Sequence, residues 1–263
     1  MFGVVPKSIW NKINPADENN MCSWALRCLL IEDGQRLTLV DTGMGNKQDA
    51  KFFNHYYLHG DDTLEKSLAA HGFTKDDITD VLLTHLHFDH CGGAVIREDD
   101  RLVPNFKNAV YWTNERHWKT ATAPNDREKA SFLKENIMPL MESGQLKFIE
   151  QNQNEFPPQI GIRQVFGHTE AMMLPQVSYR NRHILYMADL LPSAGHIPLP
   201  YVMAYDMFPL TTLNEKKSFL TEAQQNQYVL FLEHDPLIEC CTLEMTEKGI
   251  RMKESFKLSD IVI

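Results

Sequence analysis

No stretch of this chain is long and apolar enough to span a bilayer. It also lacks an opening charged region followed by an apolar run of leader length, so a cytoplasmic protein with no membrane partner is expected. Long basic runs are missing too. With 26 Lys and Arg against 35 Asp and Glu, the formal net charge is -9, which leaves no electrostatic footprint for nucleic acid. The five cysteines (Cys22, Cys28, Cys91, Cys240 and Cys241) are odd in number and show no C-x-x-C spacing, which fits reduced thiols better than a disulfide framework. Internal repeats and low-complexity segments are absent. At 263 residues and 43 % hydrophobic content the chain can bury a sizeable core, and one domain over residues 1–263 is the expectation.

What the sequence does have, concentrated in one place, is imidazole. Thr84-His85-Leu86-His87-Phe88-Asp89-His90-Cys91-Gly92-Gly93 packs three histidines and an aspartate into a short stretch directly after the apolar run Val81-Leu82-Leu83. Neutral imidazole and carboxylate suit zinc and its first-row neighbours. Donors this dense point to two ions rather than one. If the apolar run is a strand and Asp89 begins a turn into a helix, His85 and His87, two residues apart, point to one side and share one metal. Asp89 and His90 then face a second ion, and Gly92-Gly93 lets backbone pass close beneath. Cys91 adjoins the site as a small apolar neighbour.

The rest of the chain reads as strands whose ends deliver polar residues. Residues Trp24 to Ile31 and Leu37 to Val40 form a hairpin around Glu32-Asp33-Gly34-Gln35, its second strand ending at Asp41. Leu64 to His71 has helical periodicity and stops at Gly72. Ala109 to Trp112 is a strand, and Asn114 to Trp118 starts a short helix. Apolar spacing at Phe132, Ile137, Leu140 and Met141 indicates a surface helix or helix pair, and residues 105–145 form a candidate helical cap over the site. Further strands follow at 146–149, 162–166, 175–179 and 184–187, the second leading to His168 and the fourth to Asp189. Thr212-Leu213-Asn214-Glu215 has the form of a capping box opening a helix to about Gln227, before the strand Tyr228 to Leu232 and His234. A last hairpin turns at Lys248-Gly249. One sheet edge would gather these side chains into one pocket.

Thr84 to Gly93 resembles the signature of the metallo-β-lactamase-fold hydrolases. The likeness extends through Leu39-Val40-Asp41-Thr42-Gly43, Gly167-His168-Thr169, Ala188-Asp189 and Glu233-His234-Asp235, so it covers roughly residues 24 to 235. The resemblance implies an α/β fold, a four-layer αββα sandwich. It implies that His85, His87 and His168 hold one metal, that Asp89, His90 and His234 hold the other, and that Asp189 bridges them. Asp41 would orient a metal-bound imidazole. Two divalent ions, zinc first with manganese or iron as alternatives, would hold a bridging hydroxide that attacks a carboxylic ester, lactone or phosphoester. Asp89 and Asp189 are then the catalytic candidates, with Asp89 assisting the leaving group. Within the family the chain looks most like the lactonases and the organophosphate (methyl parathion) hydrolases, whose motif similarly reads H-L-H-F-D-H. It departs from the lactonases after Asp189, where Leu190-Leu191-Pro192-Ser193 stands in place of their tyrosine. Tyr201 or Tyr205 could substitute only if the loop folds back.

Apolar residues beside the donors point to a small, uncharged or hydrophobic substrate, with Phe88, Met172 and His196 as the candidate substrate contacts. A homodimer is compatible with this reading. Two other readings keep the same fold: an iron-dependent redox or sulfur-oxidising enzyme, and a metal-bound ligand sensor without catalysis. Oxygen-reducing di-iron relatives usually carry a carboxylate where this chain keeps His87, which weighs against the first.

Overall fold

A computed structural model describes residues 1–262. They divide into two compact units, one of residues 28–158, the other formed by residues 1–27 with the chain from residue 159 onward. The short helix α1 (Lys7–Trp10) belongs to the latter.

The 28–158 unit is built on a five-stranded sheet. Its order is β1 (Leu29–Glu32), β2 (Leu37–Val40), β3 (Asp80–Leu82), β6 (Val110–Thr113) and β7 (Leu146–Phe148), and a separate ribbon pairs β4 (Val95–Glu98) with β5 (Arg101–Pro104). β1 and β2 form the expected hairpin, β1 beginning at Leu29 rather than Trp24, and its turn is fixed by Asp33, whose Oδ1 accepts from Gln35 N and Arg36 N. From β2 to β7 the strands run parallel. Strands covered on both faces read as unbroken apolar runs, and Leu39, Val40, Val81, Leu82, Tyr111 and Trp112 are all fully buried. The helices of this unit are α2 (Ala50–Phe53), α3 (Leu64–Ala70), α4 (Phe88–Cys91), α5 (Glu115–Thr122) and α6 (Lys134–Glu142). Thr63 and Asn114 cap α3 and α5 through side-chain oxygens that accept from Lys66 N and His117 N.

The other unit carries a six-stranded sheet. Its order is β13 (Gly249–Phe256), β12 (Cys240–Thr246), β11 (Val229–Phe231), β10 (Arg182–Tyr186), β9 (Met172–Tyr179) and β8 (Ile160–Val165). β8 and β10 are both antiparallel to β9, and β10 is parallel to β11. Hence β8, β10 and β11 all run one way. Two helices complete the unit, α7 (Pro209–Gln225) and the short α8 (Ser259–Val262).

Within residues 105–145, the expected candidate cap, β6 is an inner strand of the sheet, and Ile137 and Leu140 of α6 are fully buried in the core cluster that includes Leu86 and Cys91. One expectation is corrected here. α7 begins three residues before Thr212, because Pro209 occupies its first turn, where a missing N–H costs nothing. Glu215 therefore does not close a capping box. Its carboxylate accepts from Phe166 N at 2.7 Å and Gly167 N at 3.0 Å, tying the helix to the end of β8.

The glycine pair closing the histidine motif has the role the sequence suggests. A Cβ on Gly92 would lie 2.1 Å from the Met44 carbonyl oxygen, and one on Gly93 2.2 Å from that of Thr42. Both obstacles are backbone and cannot rotate away. Gly93→Ala is therefore expected to cost about 1–3 kcal/mol through overpacking, or to prevent folding. Urea unfolding measures it, and an unchanged midpoint would contradict the close approach.

Candidate active site

In the 28–158 unit the histidine motif follows β3. Leu83 N still donates to Trp112 O, the chain stays extended, and His87 is the N-cap of α4 with φ -66° and ψ 150°. The expected strand-then-turn geometry is present. His85 and His90 are fully buried, His87 nearly so, and the His85 ring centroid lies 4.5 Å from that of His87 and 3.9 Å from that of His90. Asp89 is the more open donor, its side chain 29 % exposed.

Asp41, one residue past β2, ties this cluster together. Its N–H donates to Leu82 O, and its φ of 56° is a left-handed value that Asp tolerates better than most residues. Fully buried, its Oδ1 accepts from Thr84 N at 2.8 Å. Its Oδ2 accepts from Thr84 Oγ1 at 2.7 Å and from His90 Nδ1 at 3.1 Å. Having given its hydrogen to Asp41, Thr84 Oγ1 accepts from His85 Nδ1 at 3.1 Å. One carboxylate thus fixes His90 directly and His85 through a hydroxyl. His87 is held differently: its Nε2 donates to Glu128 Oε1 at 3.2 Å. Between the two, Leu86 N donates to His117 Nε2 at 2.8 Å.

In the other unit, His168, Asp189 and His234 follow β8, β10 and β11 within three residues of each strand's end. All three are buried. His168 donates through Nδ1 to Asp206 Oδ1 at 2.9 Å, and its Nε2 lies 3.0 Å from Asp189 Oδ2. His234 donates through Nδ1 to Ala25 O at 2.8 Å, and its Nε2 lies 3.0 Å from Asp189 Oδ1. Each oxygen of Asp189 therefore faces a different imidazole. Burial opposes ionisation of both partners, yet His168 and His234 hold the Asp189 carboxyl well below the usual carboxylate range, and Asp189 with Asp206 pushes His168 up to about 10.

These donors fit divalent metal ions. An imidazole that coordinates needs its second nitrogen fixed by an acceptor, which sets tautomer and ring orientation. All five histidines meet that requirement, with Nε2 as the donor atom for His85, His90, His168 and His234 and Nδ1 for His87. At His168 and His234 a cation would replace the proton facing Asp189. Nitrogen with carboxylate oxygen is the donor chemistry of zinc and its neighbours.

The three expected substrate contacts fare differently. Phe88 is half-buried and packs against Phe52 and Tyr56, ring centroids 5.3 and 4.8 Å away. Met172 is fully buried in β9 and offers no surface. His196 is buried with both ring nitrogens engaged by protein: Ser193 Oγ lies 2.7 Å from Nδ1, Nε2 is 3.1 Å from Met1 O, and Phe2 stacks on the ring at 4.5 Å. That ring supports the packing of residues 1–24. The loop after Asp189 does fold back, since Met207 N donates to His168 O and Phe208 N to Gly167 O. Tyr201 is held by packing on Phe2 and by Lys216, whose ammonium donates to Tyr201 O and Pro198 O, whereas Tyr205, next to Asp206, is 60 % exposed. Cys91 is fully buried, and burial pushes its thiol up to about 12, which suits the inert neighbour the sequence suggests. Asp206, Glu128 and His117 were not visible in the sequence, because no spacing marks a lone outer partner.

Buried histidines and carboxylates at successive strand ends, each ring oriented by an acceptor, define a metal-binding α/β protein. Residues 27–234 match the model of the metallo-β-lactamase superfamily, and the chain belongs to that superfamily and has its fold. The N-acyl homoserine lactonase AiiA of Bacillus thuringiensis subsp. kurstaki is 30 % identical over 96 residues, 33 % of this chain. The match spans only 37 % of that lactonase's length. Among solved structures, a protein described as a probable metal-dependent hydrolase from Staphylococcus aureus is 27 % identical with a TM-score of 0.86, covering 97 % of this chain and 90 % of its own. AidC, a dizinc quorum-quenching lactonase solved with a product, shares the fold at 24 % identity and a TM-score of 0.71, over 89 % of this chain and 81 % of its own. So does the hydrolase AbOPH, at 19 % and 0.74, over 96 % and 88 %.

Two outcomes follow from this geometry. Asp41→Asn keeps the left-handed backbone accessible but leaves one oxygen to accept where two do now, so folding stability should fall by about 1–3 kcal/mol in urea unfolding. His196, pushed down to about 3 mainly by burial, stays neutral when folded and charges when unfolded. Its contribution is complete above pH 6.5 and is lost as pH falls from there toward 3. By pH 5 the loss is about 2 kcal/mol, and a His196→Gln variant should show a correspondingly flatter stability profile between pH 7 and 5.

Proposed function

We propose that this protein is a dinuclear metal-dependent hydrolase in which His85, His87 and His168 ligate one divalent ion, Asp89, His90 and His234 the other, and Asp189 both. The observation that carries the reading is Asp189, whose two oxygens each face a separate imidazole, as a bridging carboxylate requires. Membership of the superfamily supports joining these donors with those of the 28–158 unit. Zinc is the favoured metal, on the donor set and on the dizinc lactonase that shares the fold. Two such ions would supply Lewis acidity to a carbonyl oxygen and lower the pKa of water toward neutrality.

The chain's own residues do the rest. Asp41, Thr84, Asp206 and the Ala25 carbonyl keep four rings in one tautomer, so no reorganisation is needed during turnover. Asp89, the donor most open to solvent, is placed to take a proton and return it to the leaving oxygen. We assign the substrate to carboxylic esters or lactones of small, uncharged acyl compounds. The lactonase relatives and the apolar ring cluster of Phe52, Tyr56 and Phe88 beside Asp89 support this.

The test is a hydrolysis panel on zinc- and manganese-loaded protein: acyl lactones, aryl esters, thioesters and aryl phosphotriesters, with Asp189→Asn as the blank. Turnover of lactones or esters is expected, abolished by a chelator and restored by metal. Asp189→Asn should lose about a thousandfold or more in kcat while remaining folded. Unchanged metal content and turnover in that variant would refute the assignment, and preference for phosphotriesters would move the substrate class.

A further inference from the structure

We propose that Glu128 is a positioning residue that fixes His87 for coordination through Nδ1, and that it does so as part of a clamp on the metal motif supplied by residues 114–132. The inference rests on the metal reading above but concerns how one ligand is prepared.

Three consecutive motif residues are each bonded to this segment. Leu86 N donates to His117 Nε2 at 2.8 Å, His87 Nε2 donates to Glu128 Oε1 at 3.2 Å, and Phe88 N donates to Ser131 O at 3.0 Å. The Phe132 ring lies 4.9 Å from that of His87 and 5.7 Å from that of His117. The segment is itself braced. Asn114 Oδ1 accepts from His117 N at 2.7 Å, while Asn125 accepts from Glu128 N through Oδ1 at 3.1 Å and donates through Nδ2 to Glu128 Oε2 at 3.3 Å.

Glu128 is 2 % exposed, an unusual place for a carboxylate without a specific task. A carboxylate only accepts, so Nε2 of His87 carries the hydrogen and Nδ1 becomes the coordinating atom. That is the reverse of the other four donor histidines, whose Nδ1 is the held nitrogen. His87 begins α4, and its ring has to reach the same ion as His85 from a backbone already turning into the helix. The carboxylate on its far nitrogen holds the ring in that orientation and makes Nδ1 more basic.

The experiment compares Glu128→Gln, which retains an acceptor oxygen, with Glu128→Leu, which does not. Zinc stoichiometry and affinity are read by competition with a chromophoric chelator, and the hydrogen-bonded His87 Nε2–H by proton–nitrogen NMR of the metal-free protein. Glu128→Leu should weaken one of the two zinc sites by about 10–100-fold and lose the Nε2–H signal, while Glu128→Gln keeps the signal and most of the affinity. Asn125→Ala, which loosens Glu128 without removing it, should fall between them and serves if Glu128→Leu does not fold. Two wild-type zinc sites in Glu128→Leu, or equal losses in the Gln and Leu variants, would overturn the proposal. These readouts are independent of turnover. A protein that binds two zinc ions yet hydrolyses nothing would sink the hydrolase reading alone, and the metal-free NMR comparison still decides the role of Glu128.

Discussion

Everything at the candidate site depends on satisfying the second nitrogen of a buried imidazole. A polar group taken out of water without a partner costs several kcal/mol at worst, on the order of 1–3 in protein interiors, and a ring free to rotate would present either nitrogen to an ion. The structure meets the constraint five times with four kinds of acceptor: two aspartates, a glutamate, a threonine hydroxyl and a backbone carbonyl. Asp41 is the most economical of these, since one side chain holds the first residue of the motif, its next imidazole and its last. Its left-handed backbone follows from the same demand. The chain leaving β2 must turn at once for that carboxylate to lie under Thr84.

The sheets explain why such acceptors are within reach. Parallel neighbours end together, so β2 and β3 bring Asp41 and the histidine motif to one edge, and β6 adds Asn114 and His117 beside them. In the other unit β8, β10 and β11 run in one direction and release His168, Asp189 and His234 at their carboxyl ends. Binding sites outside the carboxyl ends of parallel strands are a general property of α/β sheets. Glycine then lets loops meet: Gly92 and Gly93 admit the Thr42–Met44 backbone, and Gly167 admits the first turn of α7, where a Cβ would lie 2.2 Å from Thr212 N.

The buried histidines and aspartates that gather at strand ends were legible in the sequence because each follows an apolar strand, and strand ends announce themselves through hydrophobic runs. The hairpin of β1 and β2, the strand before the motif and the close glycines were legible for the same reason. The outer partners were not. Asp206 lies in a loop, Glu128 in another, and Ala25 contributes only a carbonyl, so no periodicity or spacing distinguishes them from other surface-prone residues. In the 105–145 segment the strand at Ala109–Trp112 was legible, whereas the charge around α6 suggests a surface helix although Ile137 and Leu140, recurring at helical spacing, are buried in the core.

His196 shows why adjacency to a ligand is a poor guide to role. It is as buried as His168 and lies in the loop that follows Asp189, and burial lowers both rings, yet His196 falls to about 3 while His168 rises to about 10. Two carboxylates, Asp189 and Asp206, make the difference at His168, whereas His196 meets a serine hydroxyl, a backbone carbonyl and the face of Phe2. A ring between two carboxylates is prepared for positive charge, and a metal ion can supply it. A ring between a hydroxyl, a carbonyl and an aromatic face is prepared to stay neutral, and what it holds in place is the packing around residues 1–24.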